Sequence, residues 1–425
     1  MTLTPVRLVA IALIYACAAV AWFTLGSSLV YRTGEHDARL AKEVALLWGG
    51  RHDQAAPSVW IERERTTVET RQDTDASGRV HTTQSPKTVI DKTPIVLASS
   101  RVEVDLSLDQ RRKGLLWYDT YAVGFRGAYT ATPTGAQAET VAVEFPFPSE
   151  NALYDDFVFT VNGQAAGPVT ELSKGVVIRT VVQPGTPIVI AASYRSRGLG
   201  DWTYAFSSQG VSQVRDFTLA MRTDFADIDF PAGTMSPTRM SNDGGRWTLD
   251  WTFSSLVTGQ RIGMDLPDRQ NPGPLAARIT FFAPVGLLFF LAVLVVIGVL
   301  QGHNLHPMNY AFLSAAFFAF HLLLAYLVDH IHIHAAFTIA SAVSILLVVT
   351  YLRVIAGARF AIAKAGLAQL VYLVLFSYAF FFEGLAGLTV TIGAVATLFV
   401  LMQITARVDW SAVFAGARPA AGVTS

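Results

Sequence analysis

Cysteine and charged side chains are both scarce in this sequence. The chain of 425 residues contains 1 cysteine, Cys17, and only 15% charged residues, whereas 52% of its residues are hydrophobic. A lone cysteine excludes an intrachain disulfide framework and a cysteine-based zinc site. Soluble proteins usually have about a quarter of their residues charged, so the composition argues against a wholly soluble chain.

A basic surplus and the common catalytic motifs are also missing. The 32 basic and 32 acidic residues give a formal net charge of zero. This argues against nucleic-acid binding, because nucleic-acid-binding proteins neutralise phosphates with excess Lys and Arg. The motifs GxxxxGK[ST], HExxH and GxSxG do not occur. Their absence weakens an enzymatic interpretation and leaves the question of catalysis open.

The apolar residues are concentrated in runs that are long enough to cross a bilayer, for which about 20 helical residues suffice. The first run, Leu8–Tyr31, is longer than the core of a signal peptide, which is usually about 7–15 residues, and we interpret it as an uncleaved anchor. Five more follow a long polar stretch: Ile279–Leu300, Met308–Val328, Ala335–Leu352, Ala365–Phe382 and Leu385–Ile404. The sequence therefore predicts a membrane protein with an α-helical bundle of six transmembrane helices and a large domain inserted between helices 1 and 2.

The distribution of Lys and Arg predicts the orientation of these spans. If the N-terminus is cytoplasmic, the outer turns Asp329–His334 and Glu383–Gly384 contain neither residue, and the cytoplasmic segments contain Arg7, Arg353, Arg359, Lys364, Arg407 and Arg418. The positive-inside rule then places the inserted domain outside the cytoplasm. The predicted organisation is an anchor at 1–31, the domain at 32–277, a five-helix bundle at 278–404 and a cytoplasmic tail at 405–425.

The inserted domain changes from a helical to a strand period. Apolar residues at three- and four-residue steps predict an amphipathic helix over 35–48 that continues the first span and ends at Gly49-Gly50. Alternating apolar residues then predict strands over 101–109, 157–161 and 246–253, a hairpin turn at Asn162-Gly163 and a second hairpin from 176 to 193. The stretch 66–92 is either a long hairpin or a loop. Many short strands indicate a β-rich, sandwich-like domain.

Ionisable residues converge near the predicted outer face of the bundle. Asp329, His330, His332 and His334 lie in one turn, Glu383 lies in the next, and His321 lies in the third span. Either an extended or a helical turn presents two or three imidazoles, so His330, His332 and His334 form a weak candidate site for a divalent transition metal. His321, Asp329, His330 and Glu383 form the candidate functional cluster. The alternatives are solvated interfacial residues and, for His321, a hydrogen bond between helices.

A second candidate site lies in the domain, where arginines, an acid and an aromatic residue surround two glycines. Arg195, Arg197, Asp201 and Trp202 suit recognition of a glycan or a carboxylate, because guanidinium groups bind carboxylates in a two-pronged geometry and aromatic faces stack on ligands. The alternative is a strand, a turn and a second strand with the aromatic residues packed inward.

Four stretches of the sequence resemble the CreD family of bacterial inner-membrane proteins. They are Glu43–Gly50 leading to Ala56-Pro57, Arg111–Gly114 through Tyr118 and Tyr121, Gly302–Tyr310 through Asp329-His330-Ile331, and Arg407–Trp410. Departures from the family pattern are His52 in place of Gln, Ala56 in place of Gly, Asp329 in place of Glu, and the additional His332 and His334.

The resemblance implies an inner-membrane location, a periplasmic β-rich domain, and a role in cell-envelope integrity and the response to envelope stress or β-lactams. It implies no settled molecular activity. The primary hypothesis is therefore a protein that senses or binds an envelope or cell-wall component through its periplasmic domain, without a cofactor and without nucleic acid. The alternative is a membrane-embedded enzyme, or a transporter coupled to metal ions or protons, that uses the outer His, Asp and Glu residues. The oligomeric state is left open.

Overall fold

The computed structural model describes residues 5–74, 80–114, 116–207, 212–269, 271–301, 305–382, 384–406 and 408. Two compact units divide the chain. The helical unit consists of Met1–Arg39, Gly114–Leu116 and Gln270–Ser425, and the β-rich unit consists of Leu40–Lys113 and Trp117–Arg269. Each unit has its own hydrophobic core.

The described residues contain six helices that are long and apolar enough to cross a membrane. They are α1 (Pro5–Trp48), α2 (Pro272–Leu300), α3 (Pro307–Leu327), α4 (Ile333–Ala356), α5 (Ala358–Phe381) and α6 (Ala386–Thr405). Helix α5 begins seven residues before Ala365, where the predicted span started. The helix includes Arg359 and Lys364, whose charges had indicated a loop. Long basic side chains can keep their charge at a helix end in contact with water while the backbone remains helical.

Helix α1 is continuous over 44 residues, which confirms that the amphipathic segment prolongs the first apolar run. The apolar residues that predicted the amphipathic helix, Leu40, Val44 and Leu47, are not all buried. Val44 is buried, but Leu47 is 72% exposed. The helix ends before Gly49, which has a φ of +126°. A Cβ at this position would lie 2.0 Å from the carbonyl oxygen of Arg197, so both the backbone conformation and the available space require glycine.

The described residues contain strands β1–β17, all of which except Leu116 of β6 belong to the β-rich unit. Their bounds are His52–Ala55, Ser58–Thr74, Val80–Ile95, Leu97–Leu108, Arg111–Lys113, Leu116–Tyr118, Thr120–Ala131, Glu139–Phe145, Tyr154–Val161, Gln164–Ala165, Val176–Val182, Ile188–Leu199, Asp201–Ala205, Ser212–Thr223, Arg239–Asp243, Arg246–Thr258 and Ile262–Asp265. The β-rich prediction is confirmed, and the described parts of the ambiguous stretch, residues 66–74 and 80–92, belong to the long antiparallel pair β2–β3.

Two sheets enclose the core of the β-rich unit. The larger has the strand order β10-β9-β12-β7-β4-β14-β16-β15, and the smaller has the order β11-β8-β2-β3. Inward side chains of the larger sheet, such as Phe125 and Tyr194, share one core with Val143 and Phe145 of the smaller sheet. A three-stranded sheet, β1-β13-β17, and a two-stranded sheet, β5-β6, complete the arrangement.

One predicted hairpin is wrong. The segments 176–182 and 188–199 are both strands, but β11 pairs with β8, whereas β12 pairs with β7 and β9. The turn between them, where the Thr186 N–H donates to Gln183 O over 3.1 Å, therefore carries the chain from one sheet to the other. The other hairpin is confirmed, since Asn162 and Gly163 have positive φ and β10 pairs with β9.

Candidate functional site

A groove crosses the solvent-facing side of the eight-stranded sheet. Arg195 and Arg197 are two residues apart on β12 and point away from the core, since Tyr194 and Ser196 between and beside them are buried. Across the ladder, Arg195 faces Gly124 and Arg197 faces Ala122 on β7. Because these residues have no bulky side chain, a groove with a volume of about 760 Å³ forms above the sheet.

The groove carries both signs of charge. Its lining includes three arginines and three aspartates: Arg126, Arg195, Arg197, Asp105, Asp155 and Asp156. Arg195 forms an ion pair with Asp156, and a guanidinium nitrogen of Arg126 lies 3.6 Å from a carboxylate oxygen of Glu103. Exposed pairs of this kind are weak, so a ligand can exchange them for its own charged groups at little cost.

Arg197 is the arginine best prepared to bind an anion. Among the residues that the structure describes, it has no ion pair, and its guanidinium lies 4.7 Å from the centre of the Trp48 ring. Arg111 lies 4.0 Å from the same ring. Stacking on an aromatic ring restricts the guanidinium while leaving its N–H groups available in the plane.

A buried hydrogen-bond network fixes β12 directly behind these arginines. His52 is 1% exposed; its Nδ1 lies 3.1 Å from Tyr121 Oη, and its Nε2 lies 2.9 Å from Ser196 Oγ. Tyr121 donates to Asp201 O and Ser196 donates to Leu153 O, each over 2.8 Å. Burial lowers the pKa of His52 to about 4, so the ring is neutral at pH 7.

The neutral ring limits how this network can be protonated. A neutral imidazole has one donor and one acceptor nitrogen, so it donates to only one of the two hydroxyls. The other hydroxyl must therefore turn its proton toward the ring and release its carbonyl acceptor. All the donor–acceptor distances in this network are within hydrogen-bonding range, and the direction of each hydrogen bond depends on which ring nitrogen of His52 carries the proton.

Asp201 and Trp202 do not lie in the groove, so the structure separates the four residues that the sequence grouped. Gly200, with a φ of +87°, ends β12, and the next strand, β13, joins the three-stranded sheet. Asp201 forms a salt bridge with Arg51, and Trp202 is fully buried in the core. The strand–turn–strand alternative is thus correct for the second half of this segment.

Asp201 instead belongs to an acidic cleft of about 500 Å³. Its lining contains six aspartates and one arginine: Asp119, Asp201, Asp227, Asp229, Asp265, Asp268 and Arg51. Burial, followed by the neighbouring carboxylates, raises the pKa of Asp119 and that of Asp265. Within the described ranges, no group of three or more His, Cys, Asp or Glu residues has the geometry of a metal site.

In the helical unit, Asp329 is held by an arginine of α1. Arg32 Nη2 lies 2.9 Å from Asp329 Oδ2 and donates to Ala325 O over 2.6 Å, and its guanidinium lies 5.0 Å from the centre of the Tyr326 ring. A cation at the C-terminal end of α3 also interacts favourably with the helix dipole. The partner of Asp329 is therefore Arg32, which fastens α1 to the end of α3.

The three clustered histidines have different surroundings. His330 is exposed in the turn, whereas His332 precedes α4 and accepts from the His334 N–H over 3.4 Å. The rings of His332 and His334 stack at 5.3 Å, and His334 stacks on Phe381 at 5.0 Å. The structure brings two of the imidazoles together by stacking. Glu383 lies outside the described residues.

His321 is enclosed by aromatic rings. It is 0% exposed, and its ring lies 4.8 Å from Phe320, 5.7 Å from Trp22 and 6.0 Å from Phe317. Neither ring nitrogen has a hydrogen-bond partner among the described residues. The predicted hydrogen bond from His321 to a serine or tyrosine of another helix is thus not formed in the described structure.

Residues on neighbouring strands complete the groove, and sequence reasoning missed them. Arg126 lies between the buried residues Phe125 and Gly127 on β7. This alternation indicates that Arg126 is on the exposed face of a strand, but it does not indicate which residues of other strands lie beside it. Asp155 and Asp156 are brought beside Arg195 by the pairing of β9 with β12. Only the register between strands, which the sequence pattern does not contain, reveals that these residues share one groove.

Several long apolar helices joined to a large β-rich region define the class of this protein, a multi-helix membrane protein with a β-rich domain. Residues 252–411 match the family model described as "CreD: Inner membrane protein CreD". The match confirms, over these residues, the resemblance to this family that was found in the sequence. It covers helices α2–α6 and leaves the groove outside.

The other comparisons add no functional information. No curated protein matches the chain. Among solved structures, the chain is similar to a "putative nutrient binding protein" from Legionella pneumophila subsp. pneumophila str. Philadelphia 1, with 13% identity over 47% of this chain and 72% of that chain. The TM-score is 0.26, so this likeness carries no argument about fold or ligand.

Proposed function

We propose that this protein supports cell-envelope integrity and the response to envelope stress by binding an envelope component through its β-rich unit. The observation that carries the proposal is the groove formed by Arg126, Arg195 and Arg197 on the eight-stranded sheet. The family match supports an inner-membrane location, since the family is described as an inner membrane protein.

The proposed topology has six membrane spans, with both termini in the cytoplasm and the β-rich unit in the periplasm. Two observations support it. The structure describes six helices of sufficient length and apolarity, and the turns Asp329–His334 and Glu383–Gly384 contain no Lys or Arg, whereas the segments at the other end of the predicted spans contain Arg7, Arg353, Arg359, Lys364, Arg407 and Arg418. In this topology the groove is exposed to the periplasm and to the cell wall.

The charges in the groove suit a polymer that carries carboxylates, amines and hydroxyls together. Guanidinium groups bind carboxylates through paired N–H groups, and the three aspartates can accept from ammonium and hydroxyl groups. Peptidoglycan has all of these groups on one strand. We therefore propose peptidoglycan as the ligand of the groove.

The outer cluster in the helical unit is not proposed as a catalytic or transport site. Asp329 is engaged by Arg32, and His332 and His334 are stacked on each other. No described group of three or more potential ligands has metal geometry. These contacts give Asp329, His332 and His334 structural roles and leave the binding groove as the better-supported site.

Co-sedimentation of the purified full-length protein, in detergent, with peptidoglycan sacculi tests the proposal. The double variant Arg195→Ala/Arg197→Ala should bind about tenfold more weakly, which corresponds to the loss of about 1.4 kcal/mol of interaction free energy. The matched control Arg239→Ala/Arg246→Ala changes two exposed arginines at the β15–β16 end of the same sheet and should bind like the wild type.

Thermal unfolding of both double variants must match that of the wild type for the binding result to be informative. Wild-type binding that is absent, or that both double variants weaken equally, would contradict the proposal. Expression of the groove variant in cells that lack the protein should also fail to restore envelope integrity at an unchanged protein level.

A further inference from the structure

A second pocket lies in the β-rich unit, between the base of the β2–β3 hairpin and strands β4 and β14. Its volume is about 540 Å³, within the range of about 300–1,000 Å³ that is common for small-molecule sites. Its walls are mostly apolar and include Trp60, Pro94, Val96, Leu97, Phe206 and Val214. None of these residues lines the arginine groove.

The charged residues of this pocket all have the same sign. The described residues of its lining include two cations, Lys92 and Arg215, and no carboxylate. Lys92 Nζ lies 4.5 Å from the centre of the Trp60 ring. Glu62 is the cross-strand neighbour of Lys92, but it accepts from Arg179 over 2.8 Å. Among the described residues neither Lys92 nor Arg215 has an ion pair, so the pocket is electrostatically suited to an anion.

The pocket is also lined by a serine hydroxyl. Ser100 is 4% exposed and lines the pocket. Its neighbour Ser99 pairs with Thr130 over 2.7 Å. A serine hydroxyl at the wall of the pocket can donate to an acceptor atom of a ligand. The register of β4 also shifts between Leu97 and Ser99, at the wall of the pocket.

From these three features we propose that the pocket binds a small amphipathic anion, that is, an apolar ring system or short chain bearing one carboxylate, sulfonate or phosphate. The apolar body packs between Trp60, Leu97 and Phe206. The anionic group lies near Lys92 and Arg215, and Ser100 donates its hydroxyl proton to the ligand. This site is independent of the peptidoglycan groove.

Isothermal titration with 2-naphthalenesulfonate as the probe tests this site on the full-length protein in nanodiscs of zwitterionic lipid. The expected result is saturable binding with one site per chain. The uncharged 2-naphthalenesulfonamide should bind about tenfold more weakly, because it keeps the ring system and loses the charge. The variant Lys92→Ala/Arg215→Ala should weaken binding of the sulfonate about tenfold and leave binding of the sulfonamide unchanged.

Two control variants separate this site from general charge effects and from the groove. Lys87→Ala/Arg101→Ala removes cations from the same strands, β3 and β4, outside the pocket, and should bind the probe like the wild type. The groove variant Arg195→Ala/Arg197→Ala should do the same. Ser100→Ala should bind the probe about threefold more weakly, because one hydrogen bond is lost.

Three results would overturn the assignment: no saturable heat beyond that of empty nanodiscs, equal affinity for the sulfonate and the sulfonamide, or equal weakening by the pocket and control double variants. Retained probe binding together with lost peptidoglycan binding would refute only the proposed function of the groove, so the two proposals can fail separately.

Discussion

The two units of this protein each bury one histidine completely, and the two histidines have opposite surroundings. His52 in the β-rich unit has a hydroxyl within hydrogen-bonding distance of each ring nitrogen. His321 in the helical unit is surrounded by Trp22, Phe317 and Phe320, and neither nitrogen has a partner among the described residues. Burial is the same, but the polar environment is not.

The difference shows how the two units specify their structures. In the β-rich unit, polar side chains from separate strands meet in the core, as Gln54 and Tyr194 also do at 2.9 Å. Such a network selects one strand arrangement, because any other leaves donors and acceptors unpaired. In the helical unit the core around His321 is made of rings, and packing determines the contacts. Helices within lipid associate mainly by such packing.

Adding one methyl group beside His52 should have the largest effect. A Cβ at Gly198 would lie 2.3 Å from the Tyr121 ring and 2.5 Å from His52 Nδ1. We expect Gly198→Ala to destabilise the β-rich unit by about 3 kcal/mol, at the upper end of overpacking costs. Urea unfolding followed by circular dichroism at 218 nm measures this. Gly124→Ala, which meets only an ordinary contact at 3.8 Å, is the matched control; equal stability of the two variants would contradict the tight network.

The stability of the β-rich unit should also depend on the protonation of His52. Its pKa is about 4 when folded, against 6.5 for an ordinary histidine, because burial favours the neutral ring. Below pH 6.5 the unfolded chain therefore binds a proton that the folded chain does not. Stability should fall as the pH drops from 6.5 to 4, by about 3 kcal/mol in total, and should not change through this group above pH 6.5.

The variant His52→Gln isolates that contribution, because an amide retains a donor and an acceptor and does not titrate. Urea midpoints of the wild type and of His52→Gln should converge between pH 6.5 and 4, as the wild type loses its advantage. Parallel pH profiles would show that His52 does not carry the dependence.

The smallest effect is expected at His321. The imidazole of His321 is buried and has no hydrogen-bond partner within the described part of the chain. Replacing it by phenylalanine removes two unsatisfied polar atoms and keeps a ring of similar shape. His321→Phe should therefore stabilise the helical unit by about 1 kcal/mol, measured as a rise in thermal midpoint in detergent. His330→Phe, at an exposed position, serves as the control. A loss of stability, or a loss of envelope integrity at normal protein level, would show that the imidazole of His321 is required.

The elements that sequence patterns predicted well are those with local causes. The alternation of Val102, Val104 and Leu106 predicted β4, and the apolar runs predicted the long helices, because burial of one face or of a whole run imposes its own period. The 176–193 hairpin was wrong because strand partners are chosen by the whole core, and a short turn can equally connect two sheets.

The candidate sites divide in the same way. The sequence identified Arg195 and Arg197 as exposed arginines on one strand, and it grouped Asp201 and Trp202 with them because they are close in the chain. The left-handed turn at Gly200 sends those two residues to another sheet. The groove, the Arg32–Asp329 pair and the pocket beside Trp60 all depend on residues that are distant in sequence.

The sequence alone therefore determined the membrane class, the family resemblance and the helix and strand periods, since each follows from the spacing of apolar side chains or from contiguous motifs. Only the tertiary structure decided which charged groups neutralise one another and which remain available for a ligand. The physical reason is the sequence distance over which each effect acts. Hydrophobic periodicity is a property of a few consecutive residues. Ion pairs, hydrogen-bond networks and grooves form between strands and helices that are distant in sequence, and the packing of the whole core sets their register.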